Sequence, residues 1–157
     1  MHSCDQLLLD LGQTAGLPQP LRFDPHGCAR LTVDNQLAID FERDTERAVI
    51  HIYSVLAVLP AQEKESVYQQ LLEANLFGAE TAGASLAIDA NTREIVLCRS
   101  VSAEGTPAAA FVQLVEQFIT AAEDWKTRLA QQPSSSASAG NAAADAPAQH
   151  LGTFLRA

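Results

Sequence analysis

The sequence predicts an α+β fold: helix, three strands, helix, two strands, helix, with an antiparallel twisted sheet packed by the helices. Two observations carry this expectation. Three stretches repeat apolar residues at helical spacing, one at the start, one in the middle and one late in the chain. Between them lie five short runs that alternate apolar with polar residues, or are rich in β-branched types, each closed by turn residues. Strands that come in succession, not one by one between helices, belong to an antiparallel sheet.

Each element has its own signals. Ser3 with Gln6 three residues on is a capping-box pattern, and Leu7, Leu8, Leu11 and Ala15 follow at helical spacing until Gly16 and Pro18 end the helix. "LPQPLRFDPHG" reads as a loop. In "ARLTV", Leu31 and Val33 oppose Arg30 and Thr32; in "LAIDF", Leu37, Ile39 and Phe41 oppose Asp40. "AVIHIYSVLAVL" is apolar on nearly every residue, which predicts a long strand covered on both faces and ended by Pro60. A second helix is expected from about Gln62 to Leu76, with Val67, Tyr68, Leu71, Leu72 and Leu76 as its stripe. "ASLAIDANTREIVLCRSV" reads as a hairpin turning around Asn91 and Thr92, with Leu86 and Ile88 facing Ile95 and Leu97 or their neighbours. Thr106 and Pro107 open the last helix, whose stripe runs from Phe111 through Leu114, Val115, Phe118, Ala122 and Trp125 to Leu129. The expected organisation is one domain over residues 1–131 and an Ala/Ser-rich flexible tail over 132–157. Leu151, Phe154 and Leu155 near its end are not expected to dock.

Composition narrows the function. The chain has 157 residues, 47% of them hydrophobic, and a net charge of −9. Residues 132–157 carry only Asp145 and Arg156, so the deficit belongs to the first 131 residues. An acidic body repels phosphate backbones and anionic lipid, which excludes nucleic acid and membrane surfaces as expected partners. No run reaches about 18 uninterrupted apolar residues, so no membrane insertion is expected. The N-terminus lacks a basic lead-in, and three cysteines cannot all pair; both point to a cytoplasmic protein.

"GAETAGAS", residues 78–85, spaces two glycines as a phosphate-binding loop does. Such a loop follows a strand and opens a helix, where free N–H groups meet the phosphates, and it needs a lysine. Here a helix precedes and a strand follows, and Ala84 and Ser85 stand at the Lys and Ser/Thr positions. Gly78 is read as a helix terminator and Gly83 as a small residue at a strand entrance. His2, Cys4, His26 and Cys28 lack the paired spacing of a metal site. Cys98 reads as a buried small residue, His51 as a core or groove histidine, and Asp40, Glu42 and Asp44 as a solvated edge. No catalytic constellation, metal or cofactor is expected. What remains is more apolar surface than one core can hide, the mark of an interface.

The residues that resemble a known family are "VYQQLLEANLFGAETAGASLAIDANTREIVLCRSV". A helix ending in leucines and Asn, a small-residue loop and a "LALD"-like strand and hairpin are the most recognisable part of the class I type III secretion chaperones, the CesT/Tir-chaperone family. Leu71, Leu72, Ala74, Asn75, Gly83, Leu86, Ala87 and Asp89 match that pattern. The first helix, the three-strand meander and the last helix agree with it over roughly residues 1–131, whereas the Ala/Ser-rich tail departs from it. The resemblance implies a cytoplasmic homodimer of a Gram-negative bacterium, not an enzyme, that binds the N-terminal segment of one or more secreted effectors in extended form and keeps it soluble and secretion-competent. The secretion-system ATPase is a further candidate partner. It implies a dimer interface at Val67, Leu71, Leu72, Asn75, Leu86 and Ile88, and effector contacts near Leu8, Leu11, Leu31, Val33, Ile39, Phe41, Ile50 and Ile52. Alternate residues on each strand must fill the chain's own core, and the sequence leaves open which face is which. Two alternatives stand beside this reading: a regulatory protein of the same fold that sequesters another chaperone or a transcription regulator, and a small metal-dependent enzyme using His26 and Cys28.

Overall fold

The computed structural model of the chain describes residues 3–131. In order they form α1 (Cys4–Thr14), β1 (Cys28–Val33), β2 (Leu37–Asp44), β3 (Val49–Val58), α2 (Lys64–Ala74), one 3₁₀ turn (Leu76–Gly78), β4 (Ser85–Asp89), β5 (Glu94–Ser102) and α3 (Ala108–Ala130). The expected order of helices and strands is present. The segment 132–157, with Leu151, Phe154 and Leu155, and also His2, lie outside the described residues.

The helix ends show where local chemistry acts. Ser3 caps α1, its hydroxyl accepting from the Gln6 N–H at 3.2 Å. The Gln6 side chain does not reach back; its amide donates to Asp10 at 2.8 Å, so the capping box is half closed. α3 starts one residue later than expected. Pro107 occupies the N-cap with extended backbone, and the Thr106 hydroxyl donates to the Ser102 carbonyl at 2.6 Å instead of capping. α2 is shorter than the expected 62–76. Glu63 precedes it in the left-handed region at φ 55°, and beyond Ala74 the chain tightens into the 3₁₀ turn, where Phe77 also has φ 55°. A side chain held there costs about 1–2 kcal/mol, so the surrounding contacts impose the bend.

The sheet runs β1-β2-β3-β5-β4 and is antiparallel throughout. In the hairpin, Leu86 faces Leu97 and Ile88 faces Ile95, as the alternation predicts. Because side chains alternate, this register sorts the sheet into two faces. One face carries Leu31, Ile39, Phe41, Ile50, Ile52 and Leu97, all buried. α3 packs across β2 and β3 and against α1, closing that face with Leu7, Leu8 and Leu11 from α1 and Phe111, Phe118 and Trp125 from α3. Each such side chain stabilises the fold by about 1.5–3 kcal/mol. Ser54 is buried among them because its hydroxyl donates to the Ala38 carbonyl at 2.8 Å.

Candidate functional site

The opposite face of the sheet is bare. Val55, Val96 and Ala87 stand side by side across β3, β5 and β4, with Ala38 on the same face of β2. Tyr53 and Cys98 pair beside them. None of these six is buried. The expectation that β3 is covered on both sides therefore needs correcting: its second face is apolar but has no cover among the described residues. Val55 and Val58 are 39% and 68% exposed.

Polar handles interrupt this greasy strip. The Tyr53 hydroxyl donates to Glu42 at 2.9 Å, and burial, with Glu42 beside it, pushes the phenol well above its ordinary range. Arg30 forks onto the buried Asp40 carboxylate with contacts of 2.6 and 3.1 Å, while its own side chain stays largely in solvent. His51 is half-buried on this face, its Nδ1 2.9 Å from the Ser100 hydroxyl. The three carboxylates read as one edge do separate things. Asp40 is ion-paired, Glu42 takes the tyrosine, and Asp44 accepts the N–H groups of Glu46 and Arg47 in the turn.

A second apolar patch lies on α2. Its expected wide stripe splits: Val67, Leu71 and Ala74 turn inward, while Tyr68, Leu72 and Leu76 recur four residues apart on the outside. Leu72 is 71% exposed, Leu76 65% and Phe77 95%. A run of this kind on a folded chain marks a contact surface.

These positions change the residue roles implied by the resemblance. Of the six expected at the dimer interface, Val67, Leu71 and Leu86 are buried in the chain's own core and Ile88 is packed against it. Leu72 faces outward. Asn75 is half-buried and bonds both ways with Leu86: its amide donates to the carbonyl at 3.0 Å, and the Leu86 N–H donates back at 2.8 Å. Tyr68, Leu76 and Phe77 complete the exposed patch in their place. Of the eight expected effector contacts, Leu8 and Leu11 on the inner side of α1 and Leu31, Ile39, Phe41, Ile50 and Ile52 on the sheet are buried in the core, and Val33 is partly so. They cannot meet a client without opening the core. The other parity of the same strands, Ala38, Tyr53, Val55, Val96 and Ala87, is the accessible one.

The glycine loop closes on itself. A Cβ on Gly78 would sit 2.8 Å from the Gly83 Cα, so the φ of 67° and the close approach both require glycine. The N–H groups of Thr81, Gly83 and Ala84 are spent on carbonyls within the loop, leaving no cradle for a phosphate. The loop instead anchors α3: the Trp125 indole donates to the Glu80 carbonyl at 2.8 Å, and Arg128 reaches the Glu80 carboxylate at 2.6 Å. Arg99 donates to the Ala82 carbonyl at 2.7 Å from below. His26 and Cys28 sit in a turn organised by Asp24, which accepts both their N–H groups, at 2.8 and 2.9 Å. Desolvation first, then the neighbouring carboxylates, push the Cys28 thiol up. Partial desolvation does the same to Cys98, which the sequence predicts to be buried and the structure leaves half-buried, so neither is primed as a thiolate. Among the described residues, no three His, Cys, Asp or Glu side chains come together to hold a metal, and no helix is long and apolar enough to cross a membrane.

Comparison with known proteins agrees with this fold. The family model of the Tir chaperone protein (CesT) family matches residues 6–126. A protein of Chlamydia pneumoniae is 26% identical over 125 residues, covering 80% of this chain and 95% of the other. Among solved structures, a chain of the ExsC–ExsE complex superposes with a TM-score of 0.66 at 20% identity, over 84% of this chain and 95% of that one. A chain of the HopA1–SchA chaperone–effector complex gives 0.62 at 21% identity, over 77% and 91%. At these identities the solved structures establish the shared fold. The matching family model spans the sheet, α2, the glycine loop and most of α1 and α3, and on that match the chain belongs to the Tir chaperone protein (CesT) family.

Proposed function

We propose that the chain is a type III secretion chaperone that works in the bacterial cytoplasm as a homodimer and holds the N-terminal region of a secreted effector, in extended form, across the bare face of its sheet. The observation that supports this most is that face itself: five antiparallel strands with one side dry and the other carrying Val55, Val96 and Ala87 with no cover among the described residues. Exposed apolar side chains gathered on one face, with polar residues around them, suit a contact surface.

The energetics follow. An unfolded client loses chain entropy on binding, so its chaperone must offset the loss over a long interface. Apolar side chains seated against Tyr53, Val55 and Val96 supply the favourable energy, at about 25 cal/mol per Å² removed from water. β1 ends the sheet, so backbone pairing along its outer edge can fix the register of an extended segment. Glu42, Asp44, Asp89 and Glu94 stand on the open face, so a client with Lys or Arg flanking its apolar residues is favoured. The second copy takes the α2 patch of Tyr68, Leu72, Leu76 and Phe77. On this reading the chain's task is binding, with no catalysed step.

Co-expression with candidate effectors from the same genome tests the reading. A secreted protein should co-purify through its N-terminal region, and Val55→Asp should abolish capture while leaving the melting temperature within a few degrees. Failure of every secreted protein to co-purify, with none losing stability when the gene is deleted, overturns it.

A further inference from the structure

The sheet's two outer edges are finished differently. On β4, Leu86 gives both its backbone groups to the Asn75 side chain, so the N–H and C=O groups of Leu86, and of its alternate neighbours Ala84 and Ile88, point away from β5. One side-chain amide thus supplies the donor and acceptor that a residue of an added strand would bring. Thr81 treats Ala84 in the same way. Its hydroxyl donates to the Ala84 carbonyl at 2.6 Å, and the Ala84 N–H donates to the Thr81 carbonyl at 2.9 Å. On β1, Asp24 engages both backbone groups of Cys28, with its carboxylate at 2.9 Å and its N–H at 2.7 Å. Arg30 and Thr32 point outward by the same alternation, and among the described residues no strand lies beyond them.

We propose that Asn75 and Thr81 close the β4 edge to strand addition, so that two copies of the chain associate through α2 without joining their sheets. This rests on the homodimer reading above and specifies how that dimer is held. A sheet with one pairable edge can join one other strand and stop. A sheet with two can be extended from both ends, and self-complementary edges then build open-ended assemblies. The risk is greatest at β4, because the exposed Leu72, Leu76 and Phe77 would bring a second copy close to that edge. Asn75 sits between the patch and the strand, and its amide occupies the edge position that a second copy's backbone would need.

The test compares the mass of the parent chain, Asn75→Ala, and Asn75→Ala with Ile88→Pro by light scattering over a range of concentrations, with hydrogen exchange at the Leu86 amide. The parent should hold one mass. Asn75→Ala should exchange Leu86 at least tenfold faster and grow with concentration to more than twice the parent mass. Ile88→Pro, which removes the next outward N–H, should restore the parent mass. The proposal is overturned if Asn75→Ala keeps the parent mass while Leu86 exchanges faster, or if Leu86 exchange does not change. Should Asn75→Ala fail to fold by circular dichroism, Asn75→Asp, which keeps the acceptor and loses the donor, is read by the same two criteria. A parent mass of one chain would sink the homodimer reading, and it is seen in the same runs separately from any change caused by the substitution.

Discussion

The two faces of the sheet draw on similar residues and meet opposite fates. On β3, Ile50 and Ile52 are buried under the helices, whereas Tyr53 and Val55, one residue out of phase, remain partly in water. Apolarity alone does not decide which side of a strand is dry; the position of α1 and α3 does. The bare side is also built from different members of the apolar class. Ala38 and Ala87 keep it low, and Tyr53, His51 and Ser100 carry polar atoms already satisfied by neighbours. Such a surface has its polar atoms paired within the chain, so covering it would forfeit few hydrogen bonds to water.

Breaking the contrast should show the largest effects first. Phe41→Ala, on the covered face, should lower unfolding free energy by about 3–5 kcal/mol in a urea melt. Tyr53→Ala, on the bare face, should cost about 1 kcal/mol and instead weaken client binding at least tenfold by calorimetry. Equal stability losses from the two would mean that the faces are not distinct. Leu72→Asp with Phe77→Asp should halve the mass seen by light scattering while the isolated chain keeps its circular dichroism. A mass unchanged by two charges in the patch would move the dimer contact elsewhere. Raising salt from about 0.05 to 0.5 M should weaken binding of a basic client several-fold, since the carboxylates on the bare face are screened. Arg30→Ala should cost only about 1 kcal/mol, because solvent screens an arginine so exposed even though its partner is not.

The smallest effect concerns pH. Asp24 is held below its ordinary value near 3.8, first by the Cys28 N–H and, more weakly, by the His26 N–H. A depressed carboxylate contributes stability that is present above its unfolded pKa and is lost as pH falls through the folded one. Acid titration should therefore destabilise the parent below about pH 4 slightly more than it does Asp24→Asn. Parallel curves would show that the turn does not need the charge.

Much of this fold was legible because periodicity and end signals agreed. Leu7, Leu8 and Leu11, then Phe111 to Trp125, could only be inward faces of helices, and Ser3 marked a true cap. The accessible face was harder to read. β3 is apolar at both parities, so no residue on it names its wet side. The answer was held by its neighbours: Arg30, Thr32, Asp40 and Glu42 share one parity, and the antiparallel register carries that parity to His51, Tyr53 and Val55. Choosing contacts by apolarity alone picks Leu31, Ile39 and Phe41, which the chain keeps for itself. α2 misled for a related reason, since a five-residue stripe is too wide to face one way, and only the packing against β4 tells Leu71 from Leu72. The edge role of Asn75 left no signal in pattern or propensity, because it depends on a contact eleven residues along the chain.

The single tryptophan lies on the helix side, fully enclosed and tied by its indole to the Glu80 carbonyl. Its emission is thus a spectroscopic witness to the integrity of the chain alone. Denaturation should redden it, while a passenger loaded on the opposite side of the sheet should leave its colour unchanged, so a passenger that lacks tryptophan can be loaded and the carrier's health read in the same cuvette.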